Sequence, residues 1–513
     1  MMVPSGIFWL ARHEMRLSWR DVMAMMTAGR RSREIGVLIF VLVAAIFLHF
    51  LAWTLAGPSG AEPRSRIDLL VFITALMVLP FSLMTSQAME SVTRIFYSRS
   101  DLDLVLSSPA SARKLFAVRM GAIALSTTLL SLLLAAPLIN VLVVTQSARW
   151  LAAYPVLISL GSVATAISLT LTMVLFAVIG ARRTRLIAQI TAALVGASFI
   201  IGIQLAAISS MGTLSRMAYL TSDSLKGSLP EIDSLFWLPA RAMTGELMPL
   251  IAVVGSAMLV FAIVIVAFSG SFAERVIAAS GIAASNTPSR GKSRKFLAHS
   301  VRSALRQKEW KLLQRDHWLI SQTLMQVFYL VPPAFMLWHG YGTNGAVPTV
   351  VVPVLVMAAG QLSGGLAWLA ISGEDAPQLV ATAPVTPRMI LRAKIEAVFG
   401  ALAMTVGPVI AVMAFVEFWP AFVALVSTLC AATGATMIQL WFRSQAKRSN
   451  FRRRQTSSRV ATFAEAFSSI LWAGTAALWA AGSWIALACV VLALLTLVIA
   501  RALRPAESSE FAG

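Results

Sequence analysis

Charged residues are scarce in this sequence. Only 12% of the 513 residues are Asp, Glu, Lys or Arg and 58% are hydrophobic, whereas a soluble domain carries about 25% charged residues. This composition excludes a water-soluble globular protein. The apolar residues form uncharged runs of about 20, the length of a helix that crosses a bilayer, and such runs exclude a β-barrel, whose strands alternate over about 10 residues. The sequence therefore predicts an all-α polytopic membrane protein.

Cysteine and the motifs of catalysis are also lacking. Cys430 and Cys489, the two cysteines, both lie in apolar runs, which excludes a disulfide framework and a CxxC metal site. Gly291-Lys292-Ser293 has Asn286 where a phosphate-binding loop needs its first glycine, and no strand-like run precedes it. We therefore expect no catalytic residue, no metal site and no cofactor in this chain, so that any ATP is bound by another protein.

No Asp, Glu, Lys or Arg lies in the middle of an apolar run. A transporter driven by protons or sodium ions needs an ionisable or ion-ligating group at membrane depth. The nearest candidates, Asp68, Arg119, Glu396 and Glu465, each lie within about one helical turn of the end of a run. There, snorkelling or a helix terminus accounts for a charge. We therefore expect the driving force to come from outside the membrane.

Small and polar residues inside the runs indicate helix packing. Gly360 and Gly364 have the spacing of a small-xxx-small face. The LSGG string at 362–365 matches part of the signature of ATP-binding cassette ATPases, but it lies inside the same run, where nucleotide cannot reach. Isolated polar residues such as Asn140 and Gln439 are typical of hydrogen bonds between helices. We predict close helix contacts at these positions.

Twelve apolar runs predict twelve transmembrane helices. The runs are 35–56, 67–88, 119–144, 152–180, 186–210, 248–272, 319–338, 348–371, 395–416, 418–442, 462–482 and 484–503. Of the 42 Lys and Arg residues, 36 lie on the N-terminal side of the predicted membrane and six on the other. The positive-inside rule therefore places both termini in the cytoplasm. The basic loops account for the net charge of +20, and no nucleic-acid partner is expected.

Three features occur twice, in the same order. EMRLSWRD at 14–21 is matched by EWKLLQRD at 309–316, and LVLSSPASAR at 104–113 is matched by LVATAPVTPR at 379–388. A basic loop at 182–185 has a counterpart at 452–459. This order predicts two parallel six-helix repeats about a pseudo-twofold axis along the membrane normal. The predicted segments are an amphipathic interfacial helix (1–34), the first half (35–272), a basic linker with a second interfacial helix (273–318), the second half (319–503) and a tail (504–513).

The loops after the second and eighth runs carry mixed charge and helix-start signals. Ser108-Pro109 fits an N-cap followed by proline at the first helical position, and two aspartates lie ahead of it. A short helical corner of this kind, repeated once per half on the cytoplasmic face, is suited to a membrane domain that two copies of a soluble motor move. The predicted docking residues are Asp101, Asp103, Ser108, Pro109, Arg113, Pro384, Thr386 and Arg388.

The chain resembles the permease subunit of an ATP-binding cassette exporter of the ABC-2 type. The resemblance rests on SDLDLVLSSP at 100–109, on RRTRLIAQ at 182–189 and on the amphipathic segment before the first run. It covers the second half only in part, since Ala376 and Gln378 stand where the first half has Asp101 and Asp103. It implies an exporter in the cell inner (plasma) membrane. Separate ATP-binding cassette ATPase subunits, two in number, would bind the ATP and couple through the loop after the second run.

Two other functions are compatible with an all-α membrane protein. An ion-coupled secondary transporter with six plus six spans needs buried carboxylates and a glycine-and-arginine loop after the second run, and the sequence indicates neither. A membrane-embedded enzyme acting on a lipid-linked substrate needs clustered acids or histidines near one face. The acids of the 211–247 segment, Asp223, Glu231, Asp233 and Glu246, are scattered instead.

Overall fold

The computed structural model describes residues 34–56, 65–97, 111–212, 219–271, 300–315, 346–372, 382–442 and 459–504, together with 11–17 and a few single positions. Among these residues the regular secondary structure is helical and no strand is present, so the all-α class is confirmed. The long helices of the described ranges are α1 (Glu34–Ala56), α2 (Arg66–Tyr97), α3 (Ala112–Thr145), α4 (Ala148–Gly180), α5 (Arg183–Met211), α6 (Leu247–Ser269), α7 (Val301–Arg315), α8 (Ala346–Ser372), α9 (Pro387–Val416), α10 (Phe418–Phe442), α11 (Arg459–Ala480) and α12 (Ala486–Ala502).

Eight of these helices, α2 to α6 and α8 to α10, are long and apolar enough to cross a membrane. They coincide with eight of the twelve predicted runs and make the chain a multi-pass helical membrane protein. On the first and last runs, α1 and α12 carry shorter apolar stretches, Ala45–Thr54 and Ala486–Ala502. α11 lies on the eleventh run and is not among the eight. The seventh run, 319–338, lies outside the described residues apart from single positions.

Gly180 separates α4 from α5. Its backbone has φ 73° and ψ 164°, a region that glycine adopts without strain because it has no Cβ. Helical hydrogen bonding would otherwise continue over 59 residues, far more than the roughly 20 that a bilayer accommodates. The break falls immediately before the predicted basic loop at 181–185, so that the long apolar stretch makes two spans rather than one.

The first compact unit comprises residues 1–203 and 215–292. In it α3 packs against α1, α2 and α6, and it also meets α4, where a Cβ on Gly161 would lie 3.0 Å from Thr128 Cβ. One apolar cluster surrounds Trp237, and another surrounds Phe116 and Met173. α6 lies at the edge, because only 6% of its most apolar stretch is buried. Most of its side chains are therefore available to lipid.

The second compact unit comprises residues 204–214 and 293–513. Its central helix is α8, which packs against α7, α9, α10 and α11 and has 72% of its most apolar stretch buried. Gly360 and Gly364 of α8 face α11, where an added Cβ would meet the Ser469 hydroxyl at 2.5 Å and the Glu465 carboxylate. The predicted small-xxx-small packing face is confirmed by this contact.

Candidate functional site

The predicted docking residues lie where two helices begin. Those that the structure describes are Arg113, Pro384, Thr386 and Arg388, and all four are exposed. Thr386 is the N-cap residue of α9 and Pro387 stands in its first turn, which is the arrangement predicted for the first loop. The remaining residues, Asp101, Asp103, Ser108 and Pro109, lie outside the described part of the chain. The prediction that a helix starting at Ser108-Pro109 runs into the third span is wrong, because α3 begins at Ala112 with the extended residue Ser111 as its N-cap.

A carboxylate of the N-terminal helical segment pairs with a basic residue of α3. Glu14 Oε1 lies 3.5 Å from Arg119 Nε, and the two side chains are 19% and 12% exposed. Arg119 follows the exposed Arg113 by six residues. The pair therefore connects segment 11–17 to the helix that begins after the predicted docking loop. We name segment 11–17, the first two turns of α3 and this pair the first corner.

A more deeply buried pair connects α7 to α9. Lys394 Nζ lies 3.1 Å and 3.2 Å from the two carboxylate oxygens of Glu309, which is 1% exposed. The same ammonium donates to the carbonyl of Ala370, in the last turn of α8, where a cation is favourable. Trp310 packs on α9 at Gly400, its Cζ2 lying 2.9 Å from where a Cβ would stand. We name α7, the first two turns of α9 and this pair the second corner.

The two ion pairs occupy matching positions in the repeated segments. Glu14 and Glu309 each begin the first repeated motif, and Arg119 and Lys394 each lie six residues beyond the arginine that ends the second. The prediction from sequence treated Arg119 as a charge near a helix end and gave neither glutamate a partner. The sequence did contain a signal for these pairs, because Arg119 and Lys394 occupy matching positions in the two repeats, as Glu14 and Glu309 do. Burial distinguishes the pairs, since Glu309 is almost fully enclosed and Glu14 is not.

Glu465 is a buried carboxylate in α11. It follows Arg459, where α11 begins, by six residues, is 8% exposed and accepts a hydrogen bond from the Gln439 side chain of α10. Gly364 of α8 leaves the space that the carboxylate fills. The expectation that snorkelling or a helix terminus accounts for this charge is wrong, because three helices enclose the side chain and it does not extend to water.

A second polar contact connects helices in the first unit. The Tyr154 hydroxyl of α4 donates to Asn140 Oδ1 of α3 at 2.7 Å. The Asn140 carboxamide nitrogen lies 3.3 Å from the His49 ring of α1. Asn140 therefore joins three helices, and Gln439 joins two. The predicted interhelical hydrogen bonds at these two positions are confirmed.

Three of the four acids of the 211–247 segment have basic partners. Arg241 lies 3.5 Å from Asp233 and 2.8 Å from Glu246, and Lys226 lies 2.7 Å from Asp68, in the first turn of α2. Of these pairs, Lys226–Asp68 joins the segment to α2. Within the described ranges, no three His, Cys, Asp or Glu side chains gather where they could hold a metal ion.

The two corners are an arrangement that recurs in both units. Each joins a short charged helix to the long apolar helix that follows a predicted docking loop, and each leaves an arginine exposed beside that loop, Arg113 or Arg388. In each corner an ion pair holds the two helices together. No family model, no curated protein and no solved structure matches the chain.

Proposed function

We propose that this chain is the membrane-spanning permease subunit of an ATP-driven transporter of the ATP-binding cassette type, working as an exporter in the inner (plasma) membrane. In this proposal twelve helices form two parallel six-helix repeats with both termini in the cytoplasm. The observation that carries the proposal is the ion pair that recurs at matching positions, Glu14 with Arg119 and Glu309 with Lys394. It supports two cytoplasmic corners of equivalent construction.

Each corner transmits motion from its cytoplasmic loop to the membrane span that follows. A partner ATPase subunit docks on the exposed loop residues, including Arg113 and Arg388, and pushes the loop as it closes on ATP. Because Glu309 is 1% exposed, separating it from Lys394 would leave a buried carboxylate with Lys308 as its remaining ion-pair partner among the described residues, at a cost of about 3 kcal/mol. α7 and α9 therefore move as one body. Rigid-body motion of this kind switches a translocation path between inward and outward access.

The ATP belongs to the partner subunits in this proposal. The string Gly291-Lys292-Ser293 lacks the first glycine of a phosphate loop, so the chain has no sequence motif for the phosphates. Two ATPase subunits, one under each corner, supply the work from the cytoplasmic face. The lipid bilayer is the remaining partner, and it contacts the exposed apolar side chains of helices such as α6.

Copurification tests this proposal. The chain, purified from its own membranes in mild detergent, is expected to retain a subunit that hydrolyses ATP. Charge reversal at Asp101 and Asp103 together should lower the retained ATPase activity by about tenfold, the loss expected when charged contacts at an interface are reversed. Asp223→Lys is the matched control, because Asp223 is fully exposed on the predicted outer segment. A wild-type chain without ATPase, or equal retention by both variants, would contradict the proposal.

Glu465 favours a second candidate function, an ion-coupled secondary transporter. A buried carboxylate beside a carboxamide at a helix junction is the kind of group that carries a proton or binds sodium. The test places the chain alone in liposomes, without nucleotide, under an imposed proton or sodium gradient. Solute uptake that Glu465→Gln abolishes would establish this function and end the ATP-driven proposal. Absence of uptake, with ATPase coupling intact in Glu465→Gln, would end the secondary transporter.

A further inference from the structure

A basic pocket lies in the second unit, between α7 and the first turns of α9. Its volume is about 130 Å³, the space of roughly four water molecules at ~30 Å³ each. The pocket is open to the surface, since Arg306 and Arg392 are 57% and 73% exposed, so a phosphate group can enter it from outside. The charged side chains that line it are Arg302, Arg306, Arg388, Arg392 and Glu396.

Four guanidinium groups share this pocket with one carboxylate. Glu396 accepts a hydrogen bond from Arg306 and lies 3.3 Å from Arg392 Nε. That hydrogen bond holds the pKa of Arg306 above its usual value, so the side chain stays charged. Arg302 and Arg388 form no ion pair with any residue in the described ranges. Two guanidinium groups therefore remain for an anion, and their planar forks match the oxygens of a phosphate.

The pocket lies at the boundary of an apolar layer. α9 is a candidate membrane span that begins at Pro387, so Arg388 and Arg392 stand in its first two turns. Leu305 and Met389 add apolar surface to the lining. The headgroup region of a bilayer meets a span at this level. The amino end of α9 also adds partial positive charge toward an anion.

The first half has no such pocket in its sequence. Of the five charged positions, only Arg388 has a charged counterpart, Arg113, when the repeated motifs are aligned. The counterparts of Arg302, Arg306, Arg392 and Glu396 are Ile7, Ala11, Ala117 and Gly121. The charges of the pocket are therefore not needed to form a corner, because the first corner forms its ion pair without them.

We propose that this pocket is a phosphate-binding site, occupied by the phosphate of an anionic phospholipid headgroup or by free phosphate. Arg302 and Arg388 bind the phosphate oxygens from α7 and α9, while Glu396 pairs with the other two arginines and competes with the phosphate for them. The site goes beyond the proposed function and does not depend on it. Its occupant joins α7 to α9 beside the Glu309–Lys394 pair, so it stabilises the second corner alone.

Native mass spectrometry of the detergent-purified full chain tests the proposal, with phosphatidylglycerol and phosphatidylcholine as the titrated lipids. Arg302→Gln/Arg388→Gln is expected to lower the affinity for phosphatidylglycerol by about tenfold or more, the effect of losing charge-assisted hydrogen bonds. The affinity for phosphatidylcholine should fall much less, because its choline cation offsets the charge of the phosphate. Arg113→Gln is the matched control, because Arg113 is the first-half counterpart of Arg388 and should leave both affinities as they are.

A variant that is expected to raise the affinity distinguishes a loss of binding from damage to the fold. Glu396→Gln removes the carboxylate that competes for Arg306, so it should raise the affinity for phosphatidylglycerol, which a structural defect would not do. Millimolar inorganic phosphate distinguishes the two sources. If it displaces phosphatidylglycerol, the site takes free phosphate; if it does not, the site takes the lipid headgroup. Equal phosphatidylglycerol affinity in the wild type, the double variant and Glu396→Gln overturns the proposal.

Discussion

Replacing Lys394 by methionine should strongly destabilise the second corner. Methionine keeps an unbranched apolar stem but removes the ammonium that lies 3.1 Å and 3.2 Å from the Glu309 oxygens. Glu309 is 1% exposed, so its carboxylate would stay buried without its main partner, and this costs about 3–5 kcal/mol. Lys308, at 3.3 Å from the same carboxylate, offsets part of that loss. We therefore expect a loss of about 3 kcal/mol in the free energy of unfolding.

Arg119→Met, the matched change in the first corner, should cost much less. Arg119 and Glu14 approach to 3.5 Å through one nitrogen and one oxygen, and their side chains are 12% and 19% exposed. Glu14 keeps more access to water than Glu309, so its carboxylate can be hydrated once Arg119 is removed, and we expect a loss of about 1 kcal/mol. Both variants remove a cation from the same place in a repeated segment, so each serves as the control for the other.

Reversible unfolding in mixed detergent micelles measures both losses. Glu309→Gln completes a double-mutant cycle with Lys394→Met, and we expect a coupling energy of about 2 kcal/mol, because removing both partners leaves no orphaned charge. Equal losses from Lys394→Met and Arg119→Met would refute the reasoning that burial sets the strength of a corner. A coupling energy below about 0.5 kcal/mol would refute it too.

Three glycine positions give further predictions, each measured as a thermal unfolding midpoint. Gly161→Ala should cost about 1–3 kcal/mol because its Cβ would overlap the Thr128 side chain where α3 meets α4. Gly364→Ala should cost a similar ~1–3 kcal/mol because its Cβ would overlap the Glu465 carboxylate, and adding Glu465→Ala should restore part of the loss. Gly245→Ala should cost about 1–3 kcal/mol because its φ is 88° and a backbone oxygen of α4 lies 2.7 Å from the Cβ position.

Three other glycines are the controls for these variants. Gly121, Gly255 and Gly407 lie inside helices and have no atom within 4 Å of the Cβ position. Alanine there is expected to leave stability unchanged or raise it by about 0.5–1 kcal/mol, since glycine is the weaker helix former. If alanine is tolerated at the three contact positions as well as at the controls, the helices do not approach each other as closely as described.

The all-α class and eight of the spans could be predicted because both follow from the apolar interior of the bilayer. An apolar run of about 20 residues is most stable where it spans the bilayer, and its backbone must be helical there because no water is available for its hydrogen bonds. Individual helix contacts were predictable at a small-xxx-small spacing, as at Gly360 and Gly364, and at isolated polar residues, as at Asn140 and Gln439. The repeated motifs predicted two halves, but neither the repeat nor the run lengths say which helices pack together within a unit.

The candidate site shows where sequence reasoning stops. Glu14 and Glu309 could be matched by their motifs, but their partners lie 105 and 85 residues along the chain, and only helix packing brings them together. Glu465 was misread because its position near the end of an apolar run is also that of a snorkelling side chain. What buries it is the space beside Gly364, on a helix about 100 residues away in sequence.

The two corners divide their charge differently, and this bears on how the proposed transporter would work. The first-half loop carries Asp101 and Asp103, but its ion pair is long and partly exposed. The second-half loop has Ala376 and Gln378 at the same positions, yet it leads to the fully enclosed Glu309 and to the basic pocket. In the proposed transporter, the first corner would bind its ATPase through the acidic loop, and its weaker ion pair would separate when the loop is pushed. The stronger ion pair of the second corner would stay intact, so α7 and α9 would move together. The same push on both loops would therefore be transmitted to the membrane spans chiefly through the second half.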